Sequence, residues 1–218
     1  MKKIMFNDRY GLTAAVLQGR KTMTRRIVPT QYVPMIEDGL QGAALIEAQR
    51  HGDAFRENEI VAVAQSYESI HDEMIIGDYG NSKYDAFRCA MVANTPGWSN
   101  KMFVRANLMP HQIQITDINI ERLQDITDED CLKEGIGKDY AEGSPLYWTS
   151  VPHTGISWEE YRKRVNEISR YIEGDPNNYF FDNPQAAFAA LINRPGVGRK
   201  GLWEENPFVF AYSFKLIR

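Results

Sequence analysis

Apolar and polar positions are most regular at the end of the chain. There Phe208, Phe210, Tyr212, Phe214 and Leu216 share one parity and Val209, Ala211, Ser213 and Lys215 the other, which predicts a strand with one continuous apolar face. Glu59-Ile60-Val61-Ala62-Val63-Ala64-Gln65 is apolar on both parities, as a strand covered on both faces requires. Ile113 and Ile115 are followed by Ile118 and Ile120 of opposite parity, with polar Thr116 and Asp117 between them, so a strand here has to bulge or bend. Bent long strands are common in small closed barrels, and the shift favours a barrel over a flat sheet. Ile4 to Phe6 and Met23 to Val28 read as two shorter strands, the second stopped by Pro29.

Helical spacing marks four further stretches. Asp8 is the expected N-cap of a helix carrying Leu12, Ala15 and Val16, which Gly19 closes, so that Arg20 and Lys21 leave it in a turn. Thr127 is a strong N-cap, with Asp128, Glu129 and Asp130 filling the electropositive first turn and Gly135 standing where the helix stops. Glu134 then falls on that helix's last residue, where a carboxylate meets the negative end of the dipole. Ser157-Trp158-Glu159-Glu160 matches a capping box, followed by Tyr161, Val165, Ile168 and Ile172 at helical spacing and a stop at Gly174. Asn183 and Pro184 open a helix with Phe188, Leu191 and Ile192 on its core face.

Other stretches lack a period. Residues 30–58 read as an insertion with one short helix near Ala43 to Arg50. The segment from Tyr67 to Lys101 reads as irregular or partly helical, anchored by Met74, Ile75 and Ile76, and Gly137 to Thr154 as a loop whose Tyr140, Tyr147 and Trp148 line or cover a site. With no repeat, low-complexity tract or linker, the elements predict one α+β domain.

Composition narrows the functional classes. A chain of 218 residues with 43% hydrophobic residues suffices for a sizeable core. Its net charge of −4 argues against coating nucleic acid with the whole surface but leaves room for one basic patch. Cys89 and Cys131 are far apart and have no ligand at metal spacing, so neither a disulfide framework nor a zinc site is expected, and a reducing compartment fits. His51, His71, His111 and His153 are equally dispersed; no metal or cofactor is expected. The apolar run in Met1 to Asp8 is too short for a signal peptide or membrane span, which points to a cytoplasmic protein.

The densest chemistry lies in Gly19-Arg20-Lys21-Thr22-Met23-Thr24-Arg25-Arg26, with four cations and two hydroxyls. Like-charge repulsion lowers the proton affinity of a lysine among arginines and makes it a candidate base beside a threonine hydroxyl. A solvated turn is the alternative. Residues three apart in a regular strand face opposite sides, so Lys21 and Thr24 converge only if Lys21 lies in the turn.

The run Leu17 to Arg26 resembles the opening signature of ASCH domains, relatives of the PUA domains of RNA-modifying proteins. Similar stretches follow in the family's order: Glu59 to Tyr67, Ile115 to Gly135 with its Thr-initiated acidic helix, and Gly201 to Phe214 with its Trp and Asn-Pro. The resemblance spans about half the chain. It implies a single ASCH domain over residues 1–218, with a small PUA-like β-barrel, surrounding helices, and insertions at about 30–58, 68–100 and 137–183. It also implies a cleft in which the basic motif faces the acidic helix, binding RNA or a nucleotide- or nucleoside-derived ligand. Some compact bacterial members are described as amidohydrolases that deacylate N4-acylcytidine nucleosides. Their lysine, threonine and glutamate match Lys21, Thr24 and Glu134 here, with Thr24 as nucleophile, Lys21 as base and Glu134 orienting Lys21 or assisting the leaving amine. Arg20, Arg25 and Arg26 are candidates to hold phosphate, with Arg199 and Lys200 adding to the basic patch; Arg25 is equally a candidate structural ion-pair partner. Trp148, Tyr147 and Trp203 are candidates to stack on a base, with core packing the preferred role of Trp203. A third possibility is a non-catalytic scaffold whose cleft is filled by its own insertions.

Overall fold

The computed structural model describes residues 1–71, 95–141, 144–148 and 180–217, with the backbone alone for 139–141, 144–148 and 180. The described strands are β1 (Lys3–Ile4), β2 (Met23–Ile27), β3 (Ile60–Val63), β4 (Gln112–Arg122), β5 (Gly137–Ala141), β6 (Ser144–Trp148), β7 (Phe180–Phe181) and β8 (Phe208–Ile217). The α-helices whose full extent is described are α1 (Leu12–Leu17), α2 (Val33–Glu37), α3 (Gln41–His51), α4 (Asp128–Lys133), α5 (Pro184–Ile192) and α6 (Leu202–Glu205), which with the strands makes the chain α+β. Five strands form one sheet in the order β1-β3-β4-β8-β2, and three form another in the order β5-β6-β7. The larger sheet is mixed, since β1 runs parallel to β3 and β3 antiparallel to β4.

Among the described residues the larger sheet is open and ends at β1 and β2, where the parity shift in β4 favours a closed barrel. Closure requires each strand to find two partners, and β1 supplies only two residues for pairing. The shift itself is present: Ile113 and Ile115 are buried, Thr116 and Asp117 are both exposed, and Ile118 is buried again.

The chain divides into two compact units. The first comprises Met1–Phe6, Phe55–Ile118 and Ser213–Arg218. In it Val61, Ala62 and Val63 of β3 are fully buried, as their apolar run predicts. Ala62 and Ala64 pack with Tyr67, Ile70, Val104 and Met109.

The second unit comprises Asn7–Ala54 and Asn119–Tyr212. Helix α1 begins later than its sequence suggests. Its N-cap is Gly11 at φ 64°, not Asp8. Gly11 N–H bonds to the Asp8 carbonyl in a tight turn ahead of the helix, and the Asp8 carboxylate accepts from Thr13 Oγ1 at 2.5 Å. Gly19, at φ 73°, closes the helix as expected. Residues 30–58 hold two short helices, α2 and α3, where the sequence suggests one. Asn183 caps α5 by accepting from Ala186 N–H at 2.7 Å, and Phe188, Leu191 and Ile192 are buried.

Part of the expected loop from Gly137 to Thr154 is instead the β5–β6 hairpin, registered from Gly137 opposite Trp148 to Ala141 opposite Ser144. Its residues do not alternate in polarity, so backbone pairing builds these strands without the signal that announces them. The helix expected from Ser157 to Gly174 and the anchor at Met74 to Ile76 lie outside the described residues.

Candidate functional site

The second unit contains a cluster of buried charges assembled from α4 and the turn into β2. Thr127 Oγ1 accepts from Asp130 N–H at 3.2 Å, and three acidic residues occupy the first turn, so α4 starts where its sequence says it should. Its end is fixed by Gly135 at φ 101°, a conformation that glycine adopts without steric penalty. Glu134 is therefore the C-cap. A Cβ on Gly135 would stand 3.6 Å from both Cβ and Cδ of Lys21, so the lysine stem already lies against this glycine.

The turn carrying Lys21 is held by main-chain bonds on both sides. Arg20 and Lys21 N–H both point to the Ala15 carbonyl at 2.9 Å, and Thr22 N–H donates to the Lys133 carbonyl at 2.8 Å. Lys21 therefore precedes β2, and strand alternation does not set its direction. The condition for Lys21 and Thr24 to share a face is met to that extent.

Lys21 is 2% exposed, Thr24 4%, Arg25 6% and Glu134 4%, so Lys21 and Arg25 are not solvated, whereas Arg20 and Arg26 of the same motif are exposed. Lys21 Nζ donates to Glu134 Oε2 at 2.5 Å and to the Glu134 carbonyl at 2.7 Å. Arg25 Nη1 donates to the other carboxylate oxygen, Glu134 Oε1, at 3.2 Å. Arg25 also meets Glu121 Oε1 through Nε at 2.8 Å and Nη2 at 2.6 Å, and Asp130 Oδ2 through Nη2 at 3.3 Å. Lys133 Nζ meets Asp130 Oδ1 at 2.9 Å. Lys21, Arg25 and Lys133 thus face Glu134, Glu121 and Asp130, three cations against three carboxylates.

Burial sets the protonation chemistry. It drives the Lys21 proton affinity below the ordinary lysine value; the charge and hydrogen bond of Glu134 oppose this, while Arg26 and Arg25 add to it. For Arg25 the burial is outweighed by Glu134 and Glu121, which hold its guanidinium charged. Burial opposes ionisation of Asp130, but Lys133 and Arg25 more than compensate and leave its carboxyl below the usual range. The Cys131 thiol, also on α4, is pushed up to about 12 by burial.

The remaining candidates are spread more widely. Arg26 is exposed on β2, within electrostatic reach of Glu134 and Tyr212. Arg20 is exposed and donates to Gln18 Oε1 at 3.0 Å. Arg199 is paired with Glu205 through both terminal nitrogens, and Lys200 is exposed. Trp203 meets Phe188 edge to face with ring centroids 6.2 Å apart, consistent with packing rather than stacking on a base. The side chains of Tyr147 and Trp148 lie outside the described residues.

The chain matches no family model, no curated protein and no solved structure. No group of three or more His, Cys, Asp or Glu side chains among the described residues is arranged to hold a metal ion. No described helix is long and apolar enough to cross a membrane.

Glu121 and Asp130 are members of the cluster that sequence reasoning missed as partners. Asp130 read as a helix-start residue, and Glu121 carried no assigned role. The available signal was the surplus of cations in the basic motif, which, once buried, has to be matched by carboxylates.

Proposed function

We propose that the second unit is an ASCH-type amidohydrolase site, with the larger sheet as the core of a PUA-like fold, acting on the acyl amide of an N4-acylcytidine-type nucleoside. The observation that carries the reading is the Lys21 amine held by both the carboxylate and the carbonyl of Glu134 in a water-poor setting. Once Lys21 gives up a proton, the amine keeps two hydrogens for those two acceptors and presents one lone pair as a base.

The reaction begins with attack of Thr24 Oγ on the amide carbonyl carbon as Lys21 takes the hydroxyl proton. The tetrahedral intermediate collapses with cleavage of the C–N bond, and Lys21 returns that proton to the departing amine. Lys21 then deprotonates a water that attacks the threonine ester, the acyl C–O bond breaks, and Lys21 returns the proton to Thr24 Oγ as the carboxylic acid leaves. Glu134 orients the amine throughout and stabilises its protonated form.

The balance of charges also bears on the ligand. Arg25 and Lys21 are committed to carboxylates, so the cluster offers little uncompensated positive charge, and a neutral nucleoside suits it better than a phosphate chain. The test is release of cytidine from N4-acetylcytidine, followed by chromatography. Thr24→Ala is expected to abolish turnover and Lys21→Ala to lower kcat by about 10²- to 10⁴-fold. Absence of turnover in the wild-type protein refutes the hydrolase reading.

RNA or nucleotide binding is a second reading, favoured by the exposure of Arg20, Arg26 and Lys200. It requires affinity for a cytidine-containing oligonucleotide that falls with salt and with Arg20→Ala and Arg26→Ala. Binding indifferent to both removes it.

A further inference from the structure

We propose that Arg25 is a positioning residue for this site: by holding Glu134 Oε1 while Lys21 holds Oε2, it fixes the plane of the carboxylate that orients the catalytic amine. The proposal rests on the hydrolase reading, and its test separates the two.

The geometry assigns Arg25 a task distinct from that of Lys21. A carboxylate anchored at one oxygen can turn about its terminal bond and exchange its oxygens. Anchored at both, by cations on different side chains, Glu134 keeps Oε2 on the lysine. This anchoring is needed where it occurs, because Glu134 stands at the C-terminus of α4, where the helix dipole disfavours a negative charge.

Arg25 is itself braced from two elements. Glu121 on β4 takes Nε and Nη2, and Asp130 on α4 takes Nη2 on one oxygen while Lys133 holds the other. The planar guanidinium spans these acceptors at once, which a lysine ammonium, acting as a point charge, does not reproduce. The hydrogen bonds of Arg25 run to the carboxylates of Glu121, Asp130 and Glu134. Arg25 therefore acts through Glu134 and not on the reacting atoms.

The charges facing Lys21 come from Glu134 at the end of α4 and from Arg25 and Arg26 on β2. Arg26 in turn faces Glu134 and Tyr212 of β8. Arg25 is compensated by Glu121, Asp130 and Glu134, so its influence on Lys21 depends on how completely those carboxylates cancel it. Removing the cation and removing a carboxylate that cancels it should move the Lys21 proton in opposite directions.

The experiment measures kcat, KM and the pH profile on N4-acetylcytidine for the wild-type protein and for Arg25→Gln, Arg25→Lys and Glu121→Gln. In parallel, NMR follows the pH titration of the Lys21 side-chain nitrogen, a readout that needs no turnover. Arg25→Gln is expected to lower kcat by about 100-fold with little change in KM, as loss of alignment does. It should move the limb on which activity rises with pH, and the Lys21 titration, to higher pH. Arg25→Lys should restore the limb but not the full kcat, since it returns the charge without the fork. Glu121→Gln should move the limb and the titration to lower pH.

A merely structural Arg25 gives lower stability with both limb and titration unmoved in the two neutralising variants, and that result overturns the proposal. If Arg25→Gln fails to fold, Glu121→Gln and Arg25→Lys decide in the same way: an unmoved titration in Glu121→Gln together with full kcat in Arg25→Lys overturns it. Opposite titration shifts in a wild-type protein without turnover would remove the hydrolase reading and leave the coupling of Arg25 to Lys21 standing. Turnover with unshifted titrations would do the reverse.

Discussion

Glu134→Gln isolates the charge at the centre of the buried cluster. The amide keeps the size and some hydrogen-bonding capacity of the carboxylate but leaves Lys21, 2% exposed, without its counter-charge. Breaking a buried pair on one side typically costs about 3–5 kcal/mol. For a chain of this size each kcal/mol lowers Tm by roughly 2–4 °C, so a fall of about 6–20 °C is expected in a calorimetric or circular-dichroism melt. Arg25 retains Glu121 and Asp130, so the loss concentrates on Lys21. Adding Lys21→Met should therefore recover part of the stability, because the uncompensated charge goes with the lysine.

The pH dependence has a defined sign. Burial lowers the proton affinity of Lys21 in the folded protein, whereas in the unfolded chain the amine titrates near its ordinary value of about 10.4. Between the folded and unfolded values the unfolded chain binds more protons, so stability increases as pH rises through that window. Without Glu134, which raises the Lys21 proton affinity, the folded value drops further and the window widens towards lower pH. The difference in Tm between the wild-type protein and Glu134→Gln should thus shrink as pH is raised from about 7 to 10. A loss below about 1 kcal/mol, or a difference that widens with pH, would refute an uncompensated buried lysine as the cause.

Two further substitutions test the frame around the cluster. Thr127→Ala removes the acceptor for Asp130 N–H and is expected to cost about 1 kcal/mol in a urea titration, with a loss near zero counting against the cap. Gly135→Ala places a side chain at φ 101°, within 3.4 Å of Leu12 Cδ2 and 3.6 Å of the Lys21 stem, and is expected to cost about 1–3 kcal/mol; wild-type stability there would show that the turn tolerates an L residue.

Elements specified by neighbouring residues were legible in the sequence. Thr127 and Gly135 bracket α4 because a cap and a left-handed stop are local events, and β3 announced itself by an apolar run on both faces. The start of α1 was misplaced because Asp8 has the chemistry of a cap, while the turn ending at Gly11 decides where the helix begins. The β5–β6 hairpin was missed because its pairing is made by main-chain groups that carry no side-chain pattern. Lys21 and Glu134 were linked through the family resemblance. Nothing in the basic motif itself names a partner 113 residues away. The bracing of Arg25 by Glu121 and Asp130 depends on burial and tertiary geometry, which the local alternation of β2 does not encode.

The bond from Thr22 N–H to the Lys133 carbonyl joins the two halves of the cluster through peptide groups alone. Every non-proline residue carries the same donor and every residue the same acceptor, so this junction survives exchange of the side chains on either side. The distance across which Lys21 and Glu134 meet is thereby separated from the identity of the groups placed there. A chain built in this way can change its chemistry by point substitution while its chassis stays in register.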